Sequence, residues 1–336
     1  MTEFNPATYV TVVFEDVALE NIGLDPAPDE YPELIAFCRS EVTNMAADPT
    51  QVRLVIVGDM VEAIKRRLPA GPERDSFDAD RGAGMLAAKT MVVGDEVHVI
   101  VPAWCFLDTQ AMRNGSTDAE FAEFVRTAPA RERMIRRTVV HEAQHVAMDQ
   151  AGEDDVDYPD AHWVRKTFLG AAHQVAVEYR AELGVRQELR EDYETTFPAE
   201  SLGAFRSDAR ELYAAYSTDV SALSYYLMVQ AIHLWKAFGY VAAARRVDGI
   251  EAALDVPQQE RALWEQMGAV CWERFEQALA KLEAADTRIV DTEFRATVAQ
   301  LADLLDEWFV ELGFSWRDVE NGRNTWFEVV SGHLLI

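Results

Sequence analysis

The chain has 336 residues, with 58 acidic against 31 basic side chains and a formal net charge of −27. Hydrophobic residues make up 49% and aromatics 10%, enough for a packed core and outside the range of a disordered chain. The acidic excess argues against a nucleic-acid binder and against docking on anionic membranes, since both need clustered Lys and Arg.

In chain order, strand signal is concentrated in the first 105 residues. Tyr9–Phe14 and Arg53–Val57 are short β-branched runs. Met91–Val93 and Val97–Val101 flank Gly94, Asp95 and Glu96 and predict a hairpin. Helices are predicted over Pro32–Met45 and Met60–Leu68, and Pro69–Gly84 reads as a loop. From about Asp118 the pattern is helical almost throughout, with helices expected at 118–127, 130–150, 161–192, 201–215, 219–246, 257–285 and 291–312. This predicts an α+β chain: a mixed domain over 1–195 with a small sheet, and an all-helical domain over 196–336. The boundary falls near Pro198.

The charge is unevenly spread. Residues 1–50 carry ten acidic groups and one basic group, Arg39, whereas 51–150 are nearly balanced at fifteen to thirteen. No run of roughly 18 apolar residues occurs, and the opening MTEFNPATYV lacks the basic and apolar regions of a secretory signal. Cys38, Cys105 and Cys271 lie far apart with no C-x-x-C pair, which makes neither a disulfide framework nor a zinc cage. A cytoplasmic protein is the expectation.

One constellation carries chemistry: His141-Glu142-Ala143-Gln144-His145, an H-E-x-x-H. No Gly or Pro occurs from Arg131 to Ala151, so the motif reads as helix. Residues four apart share a helical face, so both imidazoles can reach one tetrahedral metal, with Glu142 placed to act as a base on a metal-activated water. The stripe Met134, Thr138, His141, His145, Met148 places both His on the inward face, where a buried polar pair calls for a compensating partner. On the predicted helix 161–192 the inward stripe runs Val164, Phe168, Ala171, Val175, Glu178, Glu182, Val185, Leu189. Two carboxylates therefore stand where apolar side chains are expected. Glu178 is read as the third metal ligand and Glu182 as an acceptor for a ligand imidazole N–H, with the reverse assignment as the alternative.

These residues resemble the gluzincin type of zincin metallopeptidase, in which H-E-x-x-H is followed on a later helix by E-x-x-x-[DE], here Glu178-Tyr-Arg-Ala-Glu182. Met148 and Ala151 exclude the longer metzincin form. The resemblance covers about residues 50–192 and implies a Zn2+ cofactor, Glu142 as general base and a peptide or protein substrate. It also implies that the hairpin 91–101 aligns the substrate by main-chain pairing. The competing expectation is a non-hydrolytic zincin-like binding or regulatory protein. A di-iron carboxylate bundle needs a second E-x-x-H, which the chain lacks.

Other polar residues read as ordinary. His173 is expected to pack between helices and His98 to lie on a solvated strand face. Tyr225, Tyr226 and His233 are considered as oxyanion donors, though aromatics at such spacing usually belong to a core. Arg136 and Arg137 read as a solvated face, and the acidic run 153–160 as a connector without the frame of a calcium loop.

Overall fold

The computed structural model describes residues 9–25, 30–71, 74–75, 77–78, 87–153, 157–322 and 324–331. Most of the loop expected at Pro69–Gly84 lies outside these residues, as does part of the acidic run 153–160. The chain forms two compact units.

The first unit takes in the described residues of Met1–Asp80 and Met85–Asp154, with Gly184–Leu189. It holds a four-stranded sheet of order β1-β2-β4-β3, built from β1 (Thr11–Glu15), β2 (Val52–Val57), β3 (Lys89–Val93) and β4 (Glu96–Pro102). β1, β2 and β4 run parallel, and β3 lies antiparallel at the edge. The connections contain α1 (Glu33–Met45) and α2 (Met60–Arg67), then α3 (Thr109–Gly115) and the long α4 (Asp118–Ala151).

The strand β2 shows why this sheet forms. Val52, Leu54 and Ile56 pack with Ile35, Cys38 and Val42 of α1 and with Ile135, Val139 and Val146 of α4. Val55 and Val57 turn the other way, onto Met60, Ala63 and Ile64 of α2. A strand buried on both faces needs apolar residues at successive positions, which is the pattern the sequence carries. The β3–β4 hairpin turns at Gly94, whose φ of 62° suits glycine in a two-residue connection.

Where two helices are expected at 118–127 and 130–150, one helix runs through Pro129. Its start is fixed by a capping box between Thr117 and Glu120, and its end by Gly152 at φ 68°. Arg131 lies over the Phe124 ring at 3.9 Å, so side chains on either side of the proline brace that turn.

The second unit takes in the described residues of Asp155–Leu183 and Arg190–Ile336. It is mainly helical: α5 (Trp163–Leu183), α6 (Ala199–Tyr216), α7 (Val220–Val247), α8 (Arg261–Met267), α9 (Trp272–Leu279) and α10 (Asp291–Glu311). An aromatic core of Trp235, Phe238, Phe275 and Trp308 joins α7, α9 and α10 through edge contacts, including Trp235 to Phe275 at 5.0 Å and Trp235 to Trp308 at 5.8 Å.

Three features differ from the sequence pattern. The helix predicted to reach residue 192 stops at Leu183, because Arg190 folds back and donates to the Glu182 carbonyl at 2.6 Å, replacing the next helical turn. The helix predicted over 257–285 breaks at Gly268, where the Trp264 ring occupies the place of a β-carbon, 2.1 Å away. The second unit is also not all helix: β5 (Phe314–Val319) and β6 (Asn324–Val329) form an antiparallel hairpin. Glu320, Asn321 and Gly322 make its turn at φ values of 52°, 58° and 79°. Among the described residues, no helix is long and apolar enough to cross a membrane.

Candidate metal centre

The motif helix α4 places His141 and His145 one turn apart. Their Nε2 atoms stand 3.3 Å apart, with ring centroids at 5.1 Å and planes at 66°. Two nitrogens at about 2.0–2.1 Å from one tetrahedral ion stand about 3.3 Å apart, so the spacing is compatible with a shared divalent ion, as it is with a hydrogen bond between the rings. His141 is buried and His145 partly so.

Glu142 is buried too, at 8% exposure, and is held by the edge strand. The Thr90 N–H donates to Glu142 Oε2 at 2.7 Å, and the Thr90 hydroxyl donates to the Glu142 main-chain carbonyl at 3.1 Å. The register explains the first bond. Val93 and Glu96 close the hairpin as a hydrogen-bonded pair, and alternation makes Thr90 and Val99 a pair whose main-chain groups point away from each other. The outward N–H of Thr90 therefore needs an acceptor, and Glu142 supplies it.

Gln144, between the two His, is also buried and donates from Nε2 to the Val140 carbonyl at 3.4 Å. Its amide closes the space at Gly184, where a β-carbon would lie 2.2 Å from Gln144 Cδ. A side chain there would require the Gln144 amide to move.

Glu178 sits on α5 with both oxygens engaged by α7. Tyr240 donates its hydroxyl to Oε2 at 2.6 Å, and Lys236 donates from Nζ to Oε1 at 3.0 Å. Each carboxylate oxygen carries two lone pairs, so neither of these two bonds by itself excludes a metal. One ligand atom from each of His141, His145 and Glu178 lies within 4.8 Å of the others. Two imidazoles and a carboxylate suit zinc and several other divalent ions, so the donor set is compatible with a metal without fixing which one.

Glu182, one turn beyond Glu178, is bound by an arginine. Its Oε1 accepts from Arg190 at 2.7 Å, and the two side chains are 1% and 3% exposed. The pair fixes the end of α5.

The remaining candidates fall into packing and surface roles. His173 is buried, with its ring edge-on to Phe294 at 5.3 Å and Tyr158 Oη 3.5 Å from Nδ1. His98 is not simply a solvated strand residue: Arg67 donates to its Nδ1 at 3.0 Å, and Nε2 lies 3.3 Å from Glu96. Burial is the main cause that lowers the His98 pKa from its ordinary value. Arg67 also pairs with Glu15, holding that carboxyl below the usual range. Tyr225 and Tyr226 are exposed and contact each other, and His233 Nδ1 lies 3.3 Å from Gln230 Oε1. Arg136 bonds Glu132 and Glu33 and covers the Phe37 ring at 4.4 Å.

Sequence reasoning missed Thr90, Lys236 and Tyr240. The last two stand four apart on α7 and so share a face, but that spacing is common on helices and does not name a partner. Comparison with protein families, with curated proteins and with solved structures gave no match to this chain.

Proposed function

We propose that this protein is a zinc-dependent peptide hydrolase of zincin type, with His141, His145 and Glu178 as metal ligands and Glu142 as general base. The observation that carries the reading is the 3.3 Å separation of the two imidazole Nε2 atoms, with the Glu178 carboxylate in the same cluster. A zinc ion bound by such a set polarises a carbonyl and lowers the pKa of its water to about 7.

The chain's own residues do the rest. His141 and His145 present their nitrogens from a single helical face, so little reordering is required to bind. Thr90 anchors Glu142 Oε2, which leaves Oε1 to accept a proton from water and return it to the leaving amine. The substrate is a peptide or a protein segment.

Elemental analysis of the purified protein followed by a peptide-library cleavage assay, with and without chelator, tests this. Stoichiometric zinc and chelator-sensitive cleavage are expected. Glu142→Gln keeps the metal and loses cleavage, and full activity in that variant rules out the mechanism. Stoichiometric metal without cleavage of any library peptide favours the non-hydrolytic binding protein instead.

A further inference from the structure

The two donors on Glu178 differ in kind. Tyr240 is a neutral hydroxyl, which can stay on Oε2 while a metal takes another lone pair. Lys236 carries a full positive charge and sits 3.0 Å from Oε1, on a carboxylate whose side chain is 17% exposed. The Lys236 ammonium pairs with Glu178. An ammonium on a metal-binding carboxylate neutralises the charge that the ion requires, and it repels a divalent cation at close range.

Gly239 lies between Lys236 and Tyr240 on α7, and a β-carbon there would meet Val175 and Tyr179 of α5 at 3.8 and 3.9 Å. Those two residues flank Glu178 on α5. Lys236 and Tyr240 stand four apart on one face of α7, so both donors reach one carboxylate from successive turns. Lys236 is therefore built against the ligand.

We propose that Lys236 is an exchangeable counter-cation for the metal: it occupies Glu178 when no metal is bound, and a divalent ion must displace it to coordinate. Tyr240, by contrast, orients the carboxylate in both states. The inference rests on the metal-site reading above and adds a device that sets how tightly the site holds its ion.

Zinc affinity, measured on the full chain by competition with a chromophoric chelator, tests it independently of turnover. Lys236→Met removes the competitor while keeping most of the side-chain volume. It is expected to bind zinc roughly 5- to 150-fold more tightly, the usual span of coupling between two ligands that affect each other. Lys236→Arg keeps the charge and stays near the wild-type value. Tyr240→Phe binds about 10- to 100-fold more weakly, as loss of a partner that orients a metal ligand does. Lys236→Gln supplies the same comparison should Lys236→Met lose its native circular dichroism.

Wild-type binding with no gain in Lys236→Met or Lys236→Gln overturns the exchange and leaves the metal site standing. A loss in those variants matching Tyr240→Phe also overturns it, making Lys236 an orienting residue. No zinc binding by any form, wild type included, overturns the metal site and the inference together.

Discussion

Along α4, the helical repeat puts His141 and His145 on one face, where their Nε2 atoms stand 3.3 Å apart. Along α5, the two carboxylates depend on residues brought from elsewhere in the chain. Glu178 is held by Lys236 and Tyr240, 58 and 62 residues away in sequence, and Glu182 by Arg190 folding back from beyond the helix end. One helix carries its geometry in local spacing, and the other acquires it by tertiary packing. The first kind can be read from a single sequence. The second is hidden from sequence and fails when one distant partner is lost.

The largest expected effect follows from the local half of that contrast. His145→Ala removes one nitrogen of the pair at a partly buried position, so metal binding is lost while the helix, capped at both ends, stays folded. Elemental analysis together with circular dichroism checks both halves. Unfolding of this variant would mean that the His pair supports the fold, and the two helices would then no longer differ in kind.

Arg190→Met tests the other half. Removing the arginine takes a cationic partner from Glu182, 1% exposed, and breaking one side of such a buried pair costs about 3–5 kcal/mol. Arg190 also caps the Glu182 carbonyl, so the end of α5 is expected to fray. A denaturation midpoint unchanged from wild type would show that α5 does not depend on its distant partner.

The same division explains what could be read in advance. Val52–Val57, the His pair and the replacement of apolar residues by Glu178 and Glu182 were visible because each is a local periodic pattern. The end of α5 was not, since it is set by the close approach of Gln144 at Gly184 and by Arg190. The break at Gly268 depends on where the Trp264 ring lies, although the glycine itself was a signal that went unused. The hairpin of β5 and β6 was hidden next to a helical run, yet Asn321-Gly322 is a turn signal and Phe314, Trp316 and Phe327 alternate as strands do. By contacts, Asp155–Leu183 groups with the helices that follow residue 190 and Gly184–Leu189 with the sheet. Val185 and Leu189, expected on the stripe of α5, instead cluster with Val140.

Cysteine burial makes a further test, spread over both units. Desolvation pushes the Cys38, Cys105 and Cys271 thiols up to about 12. In the unfolded chain these thiols titrate near their ordinary range. As pH rises above that range the unfolded state releases protons that the folded state keeps, so stability falls with alkalinity. Below it both states hold the protons, and the three thiols contribute no pH dependence. A thiol reagent at pH 8 is expected to leave the folded chain unlabelled and to modify all three residues once denaturant is added. Rapid labelling of Cys38 or Cys105 without denaturant would show that the sheet core opens more readily than its burial implies.

The smallest effect concerns Thr90, where α4 does rely on a partner from outside the helix. Thr90→Val keeps the main-chain N–H that holds Glu142 Oε2 and the branched shape suited to a strand, and removes the hydroxyl that bonds the Glu142 carbonyl. Loss of one such bond costs about 1 kcal/mol, so the denaturation midpoint should drop slightly while zinc affinity stays unchanged. Thr90→Ser retains the hydroxyl and should keep most of the bond's contribution. If Thr90→Val weakens zinc binding as strongly as Tyr240→Phe, then the His pair is also positioned by tertiary contacts, and α4 and α5 build their ligands in the same way.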